Sequence, residues 1–147
     1  MKISREILTK ELIEEGRALF TDAYSETIDD GNIVEPDYEI WSELEKAGLL
    51  IVYVARDKDN NVIGYAVFTI GMSMFNKGLQ YSEQIALFVD KKNRAKVAVG
   101  FMRKTEVELS KIGIEYIIRN SSSKKDIGKL YERLGYNLIG QQYGKRL

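Results

Sequence analysis

Ile85-Ala86-Leu87-Phe88-Val89-Asp90-Lys91-Lys92-Asn93-Arg94-Ala95-Lys96-Val97-Ala98-Val99-Gly100 is the stretch that decides how this 147-residue chain folds. Its first five residues are apolar without alternation, as in a strand covered on both faces. From about Arg94 to Ile112 the spacing turns helical, with Val97, Phe101, Thr105, Leu109 and Ile112 on one face and Gly113 as the stop. Ile114-Glu115-Tyr116-Ile117-Ile118 then forms another strand. Strand, helix and strand in that order imply one parallel crossover of right-handed sense.

Toward the N-terminus, residues 2–7 suit a short strand, and Thr9 caps a helix running to about Thr27. Leu12, Gly16, Phe20, Ala23 and Tyr24 share one face of that helix. Asp29-Asp30-Gly31-Asn32 breaks it. Pro36 opens a second helix, with Ile40, Trp41, Leu44 and Ala47 as its apolar stripe and Gly48 as its end. Leu49–Arg56 and Val62–Ile70 form a hairpin around Asp57-Lys58-Asp59-Asn60-Asn61, residues tolerant of left-handed backbone. A third run covers Leu79–Val89. Beyond the crossover, a short helix spans Asp126–Leu134, with Ile127, Leu130, Tyr131 and Leu134 inward and Gly135 as its cap. Tyr136–Tyr143 is expected as a closing strand. The order β-α-α-β-β-β-α-β-α-β, without repeats or linkers, gives one domain over residues 1–147 of α+β, mixed α/β class.

Composition limits the chemistry. The chain has no cysteine and no histidine, which removes disulfides, thiol nucleophiles, imidazole bases and the usual zinc ligands. No metal site is expected, and acid–base work falls to Asp, Glu, Tyr, Lys or water. Twenty-two basic residues balance 22 acidic ones, which argues against a nucleic-acid surface. The charged N-terminus lacks the apolar core of a signal peptide, and the longest apolar run, Leu49 to Ala55, is too short to span a bilayer. A soluble cytoplasmic protein, monomer or homodimer, is the expectation.

Charge is nonetheless sorted locally. Lys91, Lys92, Arg94 and Lys96 crowd one strand-to-helix turn, where helix N–H groups and the positive end of the dipole favour an anion. The cluster suits a polyphosphate. A solvated loop that keeps the protein soluble explains the same residues. The aromatic set Tyr24, Tyr38, Trp41, Tyr65, Phe75 and Tyr81 reads as mostly core.

This element order resembles the GNAT superfamily of N-acetyltransferases. Two segments carry the resemblance: the strand–loop–helix junction quoted first, and Lys129-Leu130-Tyr131-Glu132-Arg133-Leu134-Gly135-Tyr136, which is similar to that family's closing "lYeklGf" motif. A subgroup frequent in phage genomes is closer still, sharing Gly48-Leu49-Leu50-Ile51-Val52, Val62-Ile63-Gly64-Tyr65 and the ending Lys145-Arg146-Leu147. The resemblance covers most of the chain. It implies a mostly antiparallel central sheet with one parallel strand pair splayed at the coenzyme site, flanked by about four helices. It also implies acetyl-CoA as cosubstrate and an amine as acceptor, either a small molecule or a protein lysine or N-terminus.

On this resemblance Ile85, Leu87, Phe88 and Val89 lie along the pantetheine arm, and the loop Arg94, Ala95, Lys96, Val97, Ala98, Val99 cradles the pyrophosphate. The family loop reads R/Q-x-x-G-x-G/A. Anchored on Arg94, its glycine positions fall on Val97 and Val99. Anchored on Asn93, they fall on Lys96 and Ala98, which also aligns Phe101-Met102 with the family's apolar pair. The first glycine is absent in both registers. Tyr131 matches the tyrosine that relatives use as general acid toward the coenzyme thiolate, and plain core packing beside Ile127 and Leu130 also explains it. Relatives carry an acidic residue near the position of Ile85. Here Glu83, two residues earlier, is the candidate base, with an edge-strand solvated carboxylate as its other reading. Tyr24, Glu26 and Tyr81 are the candidate acceptor residues, and Lys124, with Lys125 after the serine run Ser121–Ser123, is placed to reach the 3′-phosphate. The alternative function is a GNAT-fold module without catalysis, binding or inhibiting a protein partner.

Overall fold

The computed structural model describes residues 1–27 and 36–147. Its order is β1 (Lys2–Glu6), α1 (Lys10–Thr27), α2 (Tyr38–Lys46), β2 (Leu50–Arg56), β3 (Val62–Met72), β4 (Gln80–Val89), α3 (Arg94–Lys111), β5 (Tyr116–Arg119) and α4 (Gly128–Arg133). The strands lie in chain order in one sheet. Pairs from β1 to β4 are antiparallel, and β4–β5 is parallel. The mixed α+β class and the single parallel pair are therefore as expected.

Local chemistry explains the boundaries. Thr9 Oγ1 accepts the Leu12 N–H at 3.2 Å and starts α1. Asp37 Oδ1 accepts the Ile40 N–H at 3.1 Å, so the cap of α2 is Asp37 and the helix begins one residue later, with Pro36 outside it. Gly48 at φ +74° and Gly113 at φ +94° end α2 and α3 in left-handed backbone that costs a side-chain-bearing residue energy. The expected breaker Asp29-Asp30-Gly31-Asn32 lies outside the described residues.

Each face of the sheet carries its own core. Ile51, Tyr53, Ala66, Phe68 and Val89 pack under α3 through Val97, Phe101 and Leu109. Val52, Val54, Tyr65, Val67 and Phe88 pack under α1 and α2 through Leu12, Phe20, Trp41 and Leu44. Arg56 ties the layers at one corner, its guanidinium held by Glu6 of β1 at 2.8 Å and Glu15 of α1 at 2.7 Å.

Four expectations fail. The segment 136–143 forms no strand, and Leu138, Ile139 and Tyr143 are exposed. Gly140 interrupts its apolar run, and the Tyr136 hydroxyl is drawn down to Arg119 and Glu106 at 2.7 and 2.6 Å. Ile40, Ala47 and Ile112, assigned to apolar stripes, are exposed at helix edges. Phe75 is 93% exposed on the β3–β4 loop and belongs to no core. Ile85 is 45% exposed, because β4 is irregular there.

Gly16 sits mid-helix in α1 beside a cavity of about 50 Å3 under Phe20, Trp41 and Tyr65. A Cβ built on it meets nothing within 4 Å. Gly16→Ala is therefore expected to stabilise the protein by about 1 kcal/mol and raise Tm by about 3 °C, measured by thermal unfolding. A lower Tm would contradict this packing of α1.

Candidate functional site

The irregularity in β4 shapes the site. Val67 pairs with Ala86 and Phe68 with Gln84, so Ile85 is an extra residue opposite no partner. Such a bulge bends the strand and breaks the two-residue alternation of faces. Glu83 and Ile85 thus do not share a face in the simple sense that their spacing implied. The β4–β5 ladder runs only from Tyr81↔Tyr116 to Gln84↔Arg119. Beyond Gln84, among the described residues, β4 continues to Val89 with no strand on its outer side. The two parallel strands part at the bulge.

Asn120 closes the point of parting. Its side-chain amide donates to Glu83 Oε1 at 3.1 Å and to the Gln84 carbonyl at 3.2 Å, and its own carbonyl accepts from the Tyr131 hydroxyl at 3.1 Å. Glu83 and Tyr131, distant in sequence, are held by one residue. Glu83 pairs with Thr69 and Gln84 with Phe68, so these neighbours face opposite sides of the sheet. Glu83 lies on the α1/α2 side. The Gln84 amide lies on the α3 side, where its Nε2 donates to the Tyr131 oxygen at 3.4 Å. Tyr131 is buried, which raises its hydroxyl above the ordinary phenol range against the opposing pull of Gln84 and the Arg119 charge.

Behind Gln84 stands Arg119, its side chain 1% exposed. Its guanidinium donates to Gln84 Oε1, to the Met102 carbonyl and Thr105 Oγ1, each at 3.2 Å, and to the Tyr136 hydroxyl. That bond fixes the Gln84 amide with its nitrogen toward Tyr131. Gln84, Arg119 and Asn120 escaped the sequence reading, which treats polar residues one at a time. The available signal was Arg119-Asn120 ending an otherwise apolar strand.

The basic turn is built differently from the expectation for a glycine-lined loop. Asp90 Oδ1 accepts the Asn93 N–H at 2.7 Å, and the Asp90 carbonyl accepts the Arg94 N–H at 2.9 Å. The Arg94 side chain donates to the Val89 carbonyl at 3.1 and 3.0 Å and lies 5.2 Å from the Phe88 ring centre. Val97 is buried in the α3 core, Ala98 is half-buried beside it, and Ala95, Lys96 and Val99 are exposed. Leu87 and Val89 pack toward α3, and Phe88 toward α1.

Glu26 joins this turn rather than Tyr81. Its carboxylate, 14% exposed at the end of α1, pairs with Arg94 at 3.1 Å, with Lys91 at 3.6 Å and with Lys125. The Lys125 hydrogen bond, followed by that from Arg94, pulls Glu26 down to about 2. Lys124 Nζ donates to the Ser25 carbonyl at 2.9 Å, and Tyr24 is half-buried on the same helix. The structure thus gathers Glu26, Lys91, Arg94, Lys124 and Lys125 at the α3 start, and Glu83, Asn120 and Tyr131 at the parting of β4 and β5, with Tyr81 at the far end of the β4–β5 ladder.

Because Glu26 titrates near 2 when folded against an ordinary 4.5, its stabilisation is present above the ordinary value and is lost as pH falls between the two. Glu26→Gln is expected to be less stable than the parent near neutrality and to lose stability less steeply below about pH 4.5, read from urea midpoints across that range. Parallel curves would remove the ion-pair node.

Among the described residues, no helix is long and apolar enough to cross a membrane. No group of three or more acidic side chains among them is placed to hold a metal ion.

No family model matches the chain, and no curated protein matches it in sequence. Solved structures do. A ribosomal-protein-alanine N-acetyltransferase from Brucella melitensis biovar Abortus superposes with TM-score 0.74 at 17% identity, over 100% of both chains. An aminoglycoside acetyltransferase from an uncultured soil metagenomic sample, in complex with sisomicin, gives 0.74 at 16%, over 99% of this chain and 96% of the other. A transcriptional regulator from Bacillus halodurans gives 0.78 at 13%, over 99% and 100%. At these identities the likeness shows the fold, and the fold is that of the GNAT acetyltransferases.

Proposed function

We propose, from this GNAT fold, that the protein is an N-acetyltransferase that moves an acetyl group from acetyl-CoA to an amine by direct attack. The observation that carries the reading is the convergence of Glu83 and Tyr131 on Asn120 where β4 and β5 part. A carboxylate suited to take a proton lies on one side of the gap and a phenol suited to give one on the other. The open edge of β4 beyond Gln84 fits an extended amide-bearing arm. The basic turn fits its phosphates, with Lys91, Arg94 and Lys125 as the cations.

In this reading Glu83 accepts the proton of the incoming ammonium, directly or through water. The neutral nitrogen forms the new C–N bond at the thioester carbonyl as the C–S bond breaks, Tyr131 protonates the departing sulfur, and the proton the nitrogen sheds on becoming an amide returns through water to the Tyr131 phenolate. None of these steps needs imidazole, a thiol nucleophile or a metal, so they suit a chain without His or Cys. The reading extends to a cytoplasmic enzyme of one domain over residues 1–147.

Calorimetric titration tests it. Acetyl-CoA should bind with micromolar Kd. Because Glu26 competes with phosphate for the same cations, Glu26→Gln should tighten that binding about fivefold, and Lys91→Glu should weaken it by a similar factor. No binding at millimolar coenzyme would overturn the enzyme reading and leave the non-catalytic module in its place.

A further inference from the structure

The face of the sheet that carries Glu83 continues into a cavity of about 250 Å3. Tyr81 and Tyr116 pair across β4 and β5, and Ile118 pairs with Glu83, so their side chains share that face. The β3–β4 loop forms the opposite wall through Met72, Phe75 and Leu79. Among the described residues, none that lines it is charged. Tyr81 lies close over Gly71, where a Cβ would stand 2.9 Å from the ring, so the glycine lets the aromatic lie flat against the sheet. Met72, Met74 and Phe75 expose large apolar side chains. Glu83 stands beside this aromatic, pliable pocket, paired across the strands with its lining residue Ile118.

We infer that the acceptor is a monoamine carrying an apolar body of about phenyl size, with its ammonium at Glu83 and its body between Tyr81, Tyr116 and Phe75. This rests on the proposed acetyl transfer and adds the substrate class. Charge complementarity decides against polyamines and aminoglycosides. Among the described residues that line the pocket, each further ammonium would meet no carboxylate, and the β3–β4 loop beside it carries Lys77. Size decides against methylamine-like acceptors, which would leave the aromatic walls wet. Once bound, the ammonium gives its proton to Glu83, the nitrogen takes the acetyl group, and the coenzyme leaves as the free thiol.

The test compares 2-phenylethylamine, ethylamine and spermidine with acetyl-CoA saturating. Phenylethylamine should exceed ethylamine about 50-fold in kcat/KM, with spermidine no better than ethylamine. Phe75→Ala, at a side chain too exposed to affect folding, and Tyr116→Ala should each shrink the phenylethylamine-to-ethylamine ratio about fivefold or more. Equal rates for the first two amines, a preference for spermidine, or an unchanged ratio in both variants would overturn the inference while leaving acetyl transfer standing. Calorimetry of the amines with the protein alone separates the two readings. If acetyl-CoA fails to bind, the transferase reading falls, and tighter binding of phenylethylamine than of spermidine still supports the pocket. The reverse order overturns it.

Discussion

Replacing Arg119 by methionine should lower stability by about 3–4 kcal/mol. The side chain is 1% exposed and serves two networks at once. On one side its guanidinium holds Gln84 and, through it, Tyr131. On the other it holds Tyr136 at 2.7 Å and Glu106 at 3.4 Å, while the Tyr136 hydroxyl itself donates to Glu106 at 2.6 Å. Burial, with Glu106 as acceptor, pushes Tyr136 up to about 12. Methionine fills the volume and satisfies none of these groups. Buried acceptors on Gln84, Met102 and Thr105 lose a donor, and the rings of Phe68 and Tyr136 lose the cation 5.6 and 5.3 Å from their centres. Arg119→Lys retains the charge but not the planar fork, so it should recover less than half of the loss. Urea unfolding with an unchanged m-value measures both. A methionine variant within about 1 kcal/mol of the parent would mean the network contributes little.

The parts of this fold legible in the sequence are those set by local chemistry. Gly48 and Gly113 mark helix ends because few other residues tolerate the backbone required there, and the Asp57–Asn61 turn is legible because Asn60 takes φ 67°. The crossover from β4 through α3 to β5 follows from apolar runs of the right length and period. The final strand was illegible for the complementary reason. A β-like composition specifies a strand only when an edge receives it, and at 136–143 a long-range hydrogen bond to Tyr136 competes.

The site divides along the same line. Tyr131 and Glu83 were visible as residue types at suggestive positions, whereas the bulge at Ile85 was not, since an extra residue in one strand shows only against its partner. Glu26 illustrates the limit from the other side. Its position on α1 suggested the acceptor pocket, yet one turn of helix orientation sends it to three cations instead. Charge attracted charge over 68 residues to Arg94 and 99 to Lys125, and no local pattern encodes that.

Tyr131→Phe should lower kcat about 100-fold while leaving acetyl-CoA affinity within about twofold of the parent. The hydroxyl donates to the Asn120 carbonyl beside the gap, and removing it leaves the aromatic ring and its 5.8 Å contact with Tyr136 in place. A purely structural Tyr131 would behave otherwise. Loss of two hydrogen bonds, to Asn120 and from Gln84, would cost about 1–2 kcal/mol of stability and alter kcat and coenzyme binding little in a protein still folded at assay temperature. The pH profile separates the cases further. Burial raises Tyr131 above its ordinary 10.0, so the acid form persists throughout the range in which the amine acceptor deprotonates. The parent's kcat should therefore climb with pH as the bound amine loses its proton and show no descending limb below about pH 10. Gln84→Met removes the donor that favours the phenolate and should push the descending limb higher still, with the plateau kcat reduced because Tyr131 loses one of the bonds that orient it. A Tyr131→Phe enzyme within about threefold of the parent's kcat would end the general-acid assignment and transfer that step to water.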